Sequence, residues 1–211
     1  MKLILNIVAE AMSILLYPLW MPTIGMVLFC YVLHRCVLPI PAYYWWVSIL
    51  TTFVITALIP LTLILIGMKQ GTISDIHMTN PEERTATYRT TVLCYGFWFI
   101  FLWQVLKVPS FMTLSVIGCI VDLILVLLIN RRWKISAHLS GLGGLIVGVL
   151  SFCLYYSLVP TIGLWLSMAA LVLALMWVRI YLKAHNELQV VAGFVLALAC
   201  TFLPNIYLAY V

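Results

Sequence analysis

Three short segments hold nearly all the side chains in this sequence that are equipped for chemistry. The first is the polar stretch 68–89, with Asp75, His77, Arg84 and Arg89. The second is Trp133-Lys134-Ile135-Ser136-Ala137-His138-Leu139-Ser140-Gly141. The third runs Arg179-Ile180-Tyr181-Leu182-Lys183-Ala184-His185-Asn186-Glu187-Leu188-Gln189. Cations, imidazoles and a hydroxyl near helix starts suit phosphoryl transfer. That reaction needs donors fixed around the phosphate oxygens, with a nucleophile and an acid in line. Arg179 offers a planar donor fork matched to phosphate. Ser136 stands where an N-cap is expected, which puts His138 in the first turn of a helix whose free N–H groups favour an anion. An imidazole is largely neutral at physiological pH, so His185 is able to attack phosphorus or carry a proton.

The same residues resemble the motifs of the type 2 phosphatidic acid phosphatase superfamily. The family's third motif is Arg, five residues, His, three residues, Asp. Arg179 and His185 match it, and Gln189 stands in the place of the Asp. The second motif, Pro-Ser-Gly-His, is similar to Ile135-Ser136-Ala137-His138, and the first, Lys, six residues, Arg-Pro, is divergent, with His77 in the place of the Lys and Arg84-Thr85 in that of Arg-Pro. The resemblance runs in motif order through about residues 75–190. It implies a membrane phosphatase acting on a lipid phosphate or polyprenyl (di)phosphate. In that scheme His185 attacks phosphorus to form a phosphohistidine and His138 protonates the leaving alkoxide. Arg179, Ser136, Arg84, His77 and Lys134 surround the phosphate, and Gln189 orients the His185 ring. No metal and no cofactor is implied. Gln189 carries no charge, so slow turnover is expected.

The elements that must position these groups are membrane spans. The chain of 211 residues is 65% apolar and only 8% charged, against about 25% charged in a soluble domain. That excludes a water-soluble globule, and equally a disordered chain. Apolar runs of about the length needed to cross a bilayer fall near 19–37, 43–67, 90–106, 111–129, 137–157, 161–181 and 188–209. The expected fold is an all-α polytopic bundle of about seven spans, one integral-membrane domain over 1–211. Lys2, Asn6, Glu10, Ser13 and Tyr17 form one polar stripe, so 1–18 is expected to be an interfacial amphipathic helix. The stretch 68–89 is expected to be a polar active-site loop.

With seven spans, the N-terminus and the second, fourth and sixth connections share one side. That side carries nine lysines and arginines against two opposite, and the positive-inside rule makes it cytoplasmic. The chain thus reads as an integral protein of a bacterial inner membrane, with the bilayer and a lipid phosphate as partners and no nucleic acid. The six cysteines lack metal or redox spacing and read as small buried hydrophobes. Gly141, Gly144 and Gly148 are expected to admit a neighbouring helix, and Asn186 with Gln189 imitates a capping box. Asp122 lies about 12 Å inside the fourth span from Asn130, a functional candidate by its cost alone. Two rival functions have a basis in the residues. One is a non-catalytic lipid-phosphate binding or scaffold protein with a degenerate anion pocket. The other is a small transporter, against which the missing inverted repeat weighs.

Overall fold

A computed structural model describes residues 2–37, 41–74 and 80–206. The protein is 85% helical, without strands among the described residues, and seven stretches are long and apolar enough to cross a bilayer. Helix α1 (Lys2–Leu15) is followed by a short 3₁₀ turn, Pro18–Trp20, and α2 (Met21–Val32). Helices α3 (Ala42–Phe53) and α4 (Ile59–Lys69) join end to end through a widened π turn, Val54–Leu58. Pro60 explains the widening, because in a regular helix its ring would strike the carbonyl of Thr56, four residues back.

The polar stretch expected as a loop over 68–89 is helical from Pro81 onward, within α5 (Pro81–Ile100). Asn80 caps this helix, its side-chain oxygen accepting the Glu82 N–H at 3.0 Å. Pro81 supplies a first position that needs no donor, and Glu82 and Glu83 sit at the positive end of the dipole. Arg84 therefore stands on a helix rather than on a mobile connection. The remaining spans are α6 (Ser110–Asn130), α7 (Ala137–Tyr155), α8 (Ile162–Tyr181) and α9 (Glu187–Ile206).

Helix α7 runs through the middle of the bundle, against α9, α6, α2 and α8. The seam with α9 depends on glycines other than those expected. A Cβ on Gly143 would lie 2.9 Å from that of Ala197, and one on Gly193 only 2.4 Å from the Ser136 carbonyl oxygen. Without a strong hydrophobic drive between helices in lipid, such backbone contact and interhelical hydrogen bonds hold the bundle. Trp98 donates to Thr52 Oγ1 at 3.0 Å, tying α5 to α3, and Asn205 donates to Ser115 Oγ at 3.1 Å, tying α9 to α6. Outward faces are apolar, with Leu93 and Leu166 well exposed, as lipid contact requires. Cys30, Cys94, Cys119, Cys153 and Cys200 are free thiols, each buried or half-buried.

The polar stripe of α1 runs along the end of α8, with Lys2, Asn6 and Glu10 exposed and only its end at Ser13 and Tyr17 turned into the bundle. Asn6 accepts from the Tyr181 hydroxyl at 2.8 Å, and Ser13 is buried at 3% exposure beneath Arg179. A stripe of this kind on an interfacial helix ordinarily faces water. Here its hydroxyl and amide satisfy polar groups at the ends of the spans.

Candidate functional site

The end of α8 brings two of the expected site residues together. Lys183 adopts a left-handed conformation, φ 52°, and stops the helix. The Ala184 N–H then reaches back to the Arg179 carbonyl at 3.1 Å, the bond of a Schellman-type ending. This reversal carries His185 back beside Arg179 before α9 begins. The expected capping box is present: Gln189 N–H donates to Asn186 Oδ1 at 2.9 Å, and Asn186 N–H donates to Gln189 Oε1 at 3.2 Å.

That second bond fixes the chemistry of His185. An atom that receives the Asn186 N–H must be the amide oxygen, and the same oxygen lies 3.2 Å from His185 Nδ1. The Lys134 carbonyl oxygen is 3.3 Å from Nδ1 as well. Both partners are acceptors, so Nδ1 bears the hydrogen and Nε2 the lone pair. Burial, reinforced by the neighbouring Arg179 and Lys134 charges, pushes the ring pKa down to about 4. His185 is therefore a neutral imidazole at physiological pH, held in one tautomer by Gln189.

His138 projects from the first turn of α7 and is buried. Its Nε2 lies 3.2 Å from the Ser13 carbonyl oxygen and 3.4 Å from Ser13 Oγ, and the Tyr17 ring packs edge-on at 5.4 Å. Arg179 Nη1 donates to the same Ser13 Oγ at 2.6 Å. One hydroxyl thus bridges a guanidinium and an imidazole. Arg84 is buried at 6% exposure, and its Nε and Nη1 have no hydrogen-bond partner; the same is true of Arg179 Nε. Buried donors of this kind are costly unless something accepts from them.

Arg84, Lys134, His138, Arg179, Lys183 and His185 all border a single cavity of about 380 Å³. Four of these are formal cations, against Glu10 and Asp122 on the same walls, so the space suits an anion. The structure thus brings Arg84, Lys134, Arg179, His138 and His185 to one cavity, with Gln189 behind His185. It does not gather Ser136. That residue occupies the N-cap position of α7, yet its hydroxyl makes no cap bond and is fully buried without a partner. The contact of Gly193 with its carbonyl packs it against α9, away from the cavity. His77 lies outside the described residues. Asp122 borders the cavity from α6 and accepts a short hydrogen bond from Ser140, not from either histidine.

Three residues escape motif reading: Ser13, bonded to Arg179 and close to His138, and Tyr17 and Tyr88 on the cavity wall. The stripe on α1 contained the signal for the first two, and Tyr88 follows Arg84 by four residues on one face of α5. Comparison with known proteins adds no identity: no family model, curated protein or solved structure matches the chain.

Proposed function

We propose that this protein is an integral-membrane phosphatase that hydrolyses a lipid phosphate or polyprenyl (di)phosphate through a phosphohistidine at His185. The observation that carries the reading is the cavity bordered together by Arg84 and Arg179, each with buried donors that lack a partner, and by His138 and His185. The motif resemblance supports the same assignment of roles.

In this reading Ser13 Oγ marks where a phosphoryl oxygen sits between Arg179 and His138. Nε2 of His185 forms the N–P bond as the P–O ester bond breaks, and the departing alkoxide takes its proton from His138. Water then attacks phosphorus, the N–P bond breaks, and the water's proton returns to His138 as phosphate is released. Arg84 and Arg179 hold the charge that develops on the equatorial oxygens. Lys134 adds positive potential, and Gln189 keeps Nδ1–H pointed away from the substrate. The cation bias supports a cytoplasmic orientation for this end of the bundle, in what we read as a bacterial inner membrane.

One observation favours a second reading. Gln189 supplies orientation without charge, so an imidazolium at His185 lacks the support of a carboxylate. A chain that kept the pocket and lost turnover would bind lipid phosphates as a scaffold. Purified protein in detergent, offered phosphatidate, lysophosphatidate and a polyprenyl phosphate, separates the two. Release of inorganic phosphate supports the enzyme, and saturable binding without release assigns the chain to the binding class.

A further inference from the structure

The cavity does not end at the charged groups. It continues down the bundle to Leu102 in the π turn Phe101–Leu106 that follows α5, Met112 and Val116 in α6, and Gly148 in α7. Arg84 and Leu102 both border it, eighteen residues or about 27 Å apart along α5 and the π turn that continues it. The space therefore spans nearly the whole of a hydrocarbon core about 30 Å thick. Its polar wall groups, Tyr88, Ser140 and Asp122, cluster toward the charged end. Deeper, Phe29, Leu102, Val116 and Leu145 line it. Thr91, Tyr95 and Ser115 also bring hydroxyls to the wall, of which Thr91 donates to the Thr87 carbonyl at 2.9 Å and Ser115 to the Phe111 carbonyl at 2.8 Å.

Gly144 and Gly148 border this shaft where its walls stand closest. They stand one turn apart on α7, and a Cβ on them would meet side-chain atoms of the opposite wall, Cys119 Sγ at 3.2 Å and Phe29 Cζ at 3.3 Å. Any larger residue projects across the shaft. A lipid whose tail stayed in the bilayer would need only the charged mouth. An apolar shaft continuous with that mouth is built for a tail.

We infer that the ligand is a single-chain lipid phosphate, its phosphate among Arg84, Arg179 and the two histidines and its one hydrocarbon chain threaded down the interior of the bundle. The volume of about 380 Å³ sits at the low end of the roughly 300–1,000 Å³ range that encloses one drug-sized ligand. One chain with its phosphate fits that space, and the two chains of a diacyl lipid do not. The inference rests on the phosphate-site reading and narrows its substrate class.

The test uses the full chain in detergent and hexadecyl phosphate with a photoreactive diazirine at the tail end. Labelled residues are mapped by mass spectrometry. Labelling is expected on Leu102, Met112 and their neighbours, and Gly148→Leu should reduce it at least about tenfold. If that variant does not fold, competition on the wild-type protein reads the same point: unlabelled hexadecyl phosphate displaces the probe and dihexadecyl phosphate does not. Labelling confined to lipid-facing residues such as Leu93 and Phe97, or equal competition by the two-chain phosphate, overturns the inference. The readout needs no turnover. Shaft labelling without phosphate release keeps the tail site and removes the enzyme, whereas phosphate release with surface labelling does the reverse.

Discussion

Gln189→Glu adds one negative charge beside His185 while keeping the side chain's reach. The family motif suggests Asp, but the geometry argues for Glu. Gln189 Oε1 is 3.2 Å from both His185 Nδ1 and Asn186 N, and a side chain one methylene shorter gives up both contacts. A unit charge about 4 Å from an imidazolium contributes about 4 kcal/mol at an effective dielectric of about 20. Opposite charges at such distances move pKa values by about 1–3 units. His185, held near 4 by burial and by Arg179 and Lys134, should then titrate roughly between 5 and 7 in the variant. The sign for stability follows. The wild-type fold keeps the ring neutral, so between the ordinary histidine value and about 4 the unfolded chain takes up a proton that the fold refuses. Stability is flat above that window and falls as pH drops through it, and Gln189→Glu should make the fall shallower. NMR titration of nitrogen-labelled histidines in micelles reads the pKa directly. A wild-type His185 that titrates like a free histidine, or a variant whose titration does not move, refutes the reasoning. The same charge supports a phosphoimidazolium, so phosphate release should rise, with a ceiling of about 10³-fold for 4 kcal/mol.

Arg179→Lys keeps the charge and loses the fork that reaches Ser13 Oγ and the cavity. Competition binding of hexadecyl phosphate should weaken by about ten- to a hundredfold, the worth of one charge-assisted hydrogen bond. Gly193→Ala drives a methyl to 2.4 Å from the Ser136 carbonyl and should cost about 1–3 kcal/mol, read as a lower thermal midpoint. Gly96→Ala, with nothing within 4 Å, should leave that midpoint unchanged or slightly raised. Asp122→Asn should change phosphate release by no more than about threefold, because its carboxylate is engaged by Ser140 and not by a histidine. A loss of the 10²–10⁴-fold size typical of general acid removal would show that Asp122 supplies the charge missing at Gln189.

The class of the fold was legible because apolar runs of span length leave a chain no soluble alternative. The convergence of Arg84, Lys134, His138, Arg179 and His185 was legible because successive spans alternate in direction, which puts the second, fourth and sixth connections on one side. The start of α5 was misread, although Asn80-Pro81-Glu82-Glu83 has the composition of a capped helix start. The polarity of that stretch suggested a loop, but a capped helix end tolerates polar residues as well. Ser136 followed the motif and failed for a reason no spacing shows: Gly193, fifty-seven residues later, presses a helix backbone onto it. The role of α1 was half visible. Its polar stripe is plain in the sequence, but whether a stripe faces water or a buried arginine depends on packing. The shaft was invisible for the same reason, since Gly144 and Gly148 read equally well as helix contacts and as the wall of a cavity.

The central claim is that His185 is a nucleophile toward a lipid phosphate. Its most direct test is inorganic phosphate released from lysophosphatidate by the purified protein and by His185→Ala, both confirmed folded in detergent. The account predicts release by the wild-type chain and none above background from the variant. Equal release from both would contradict it.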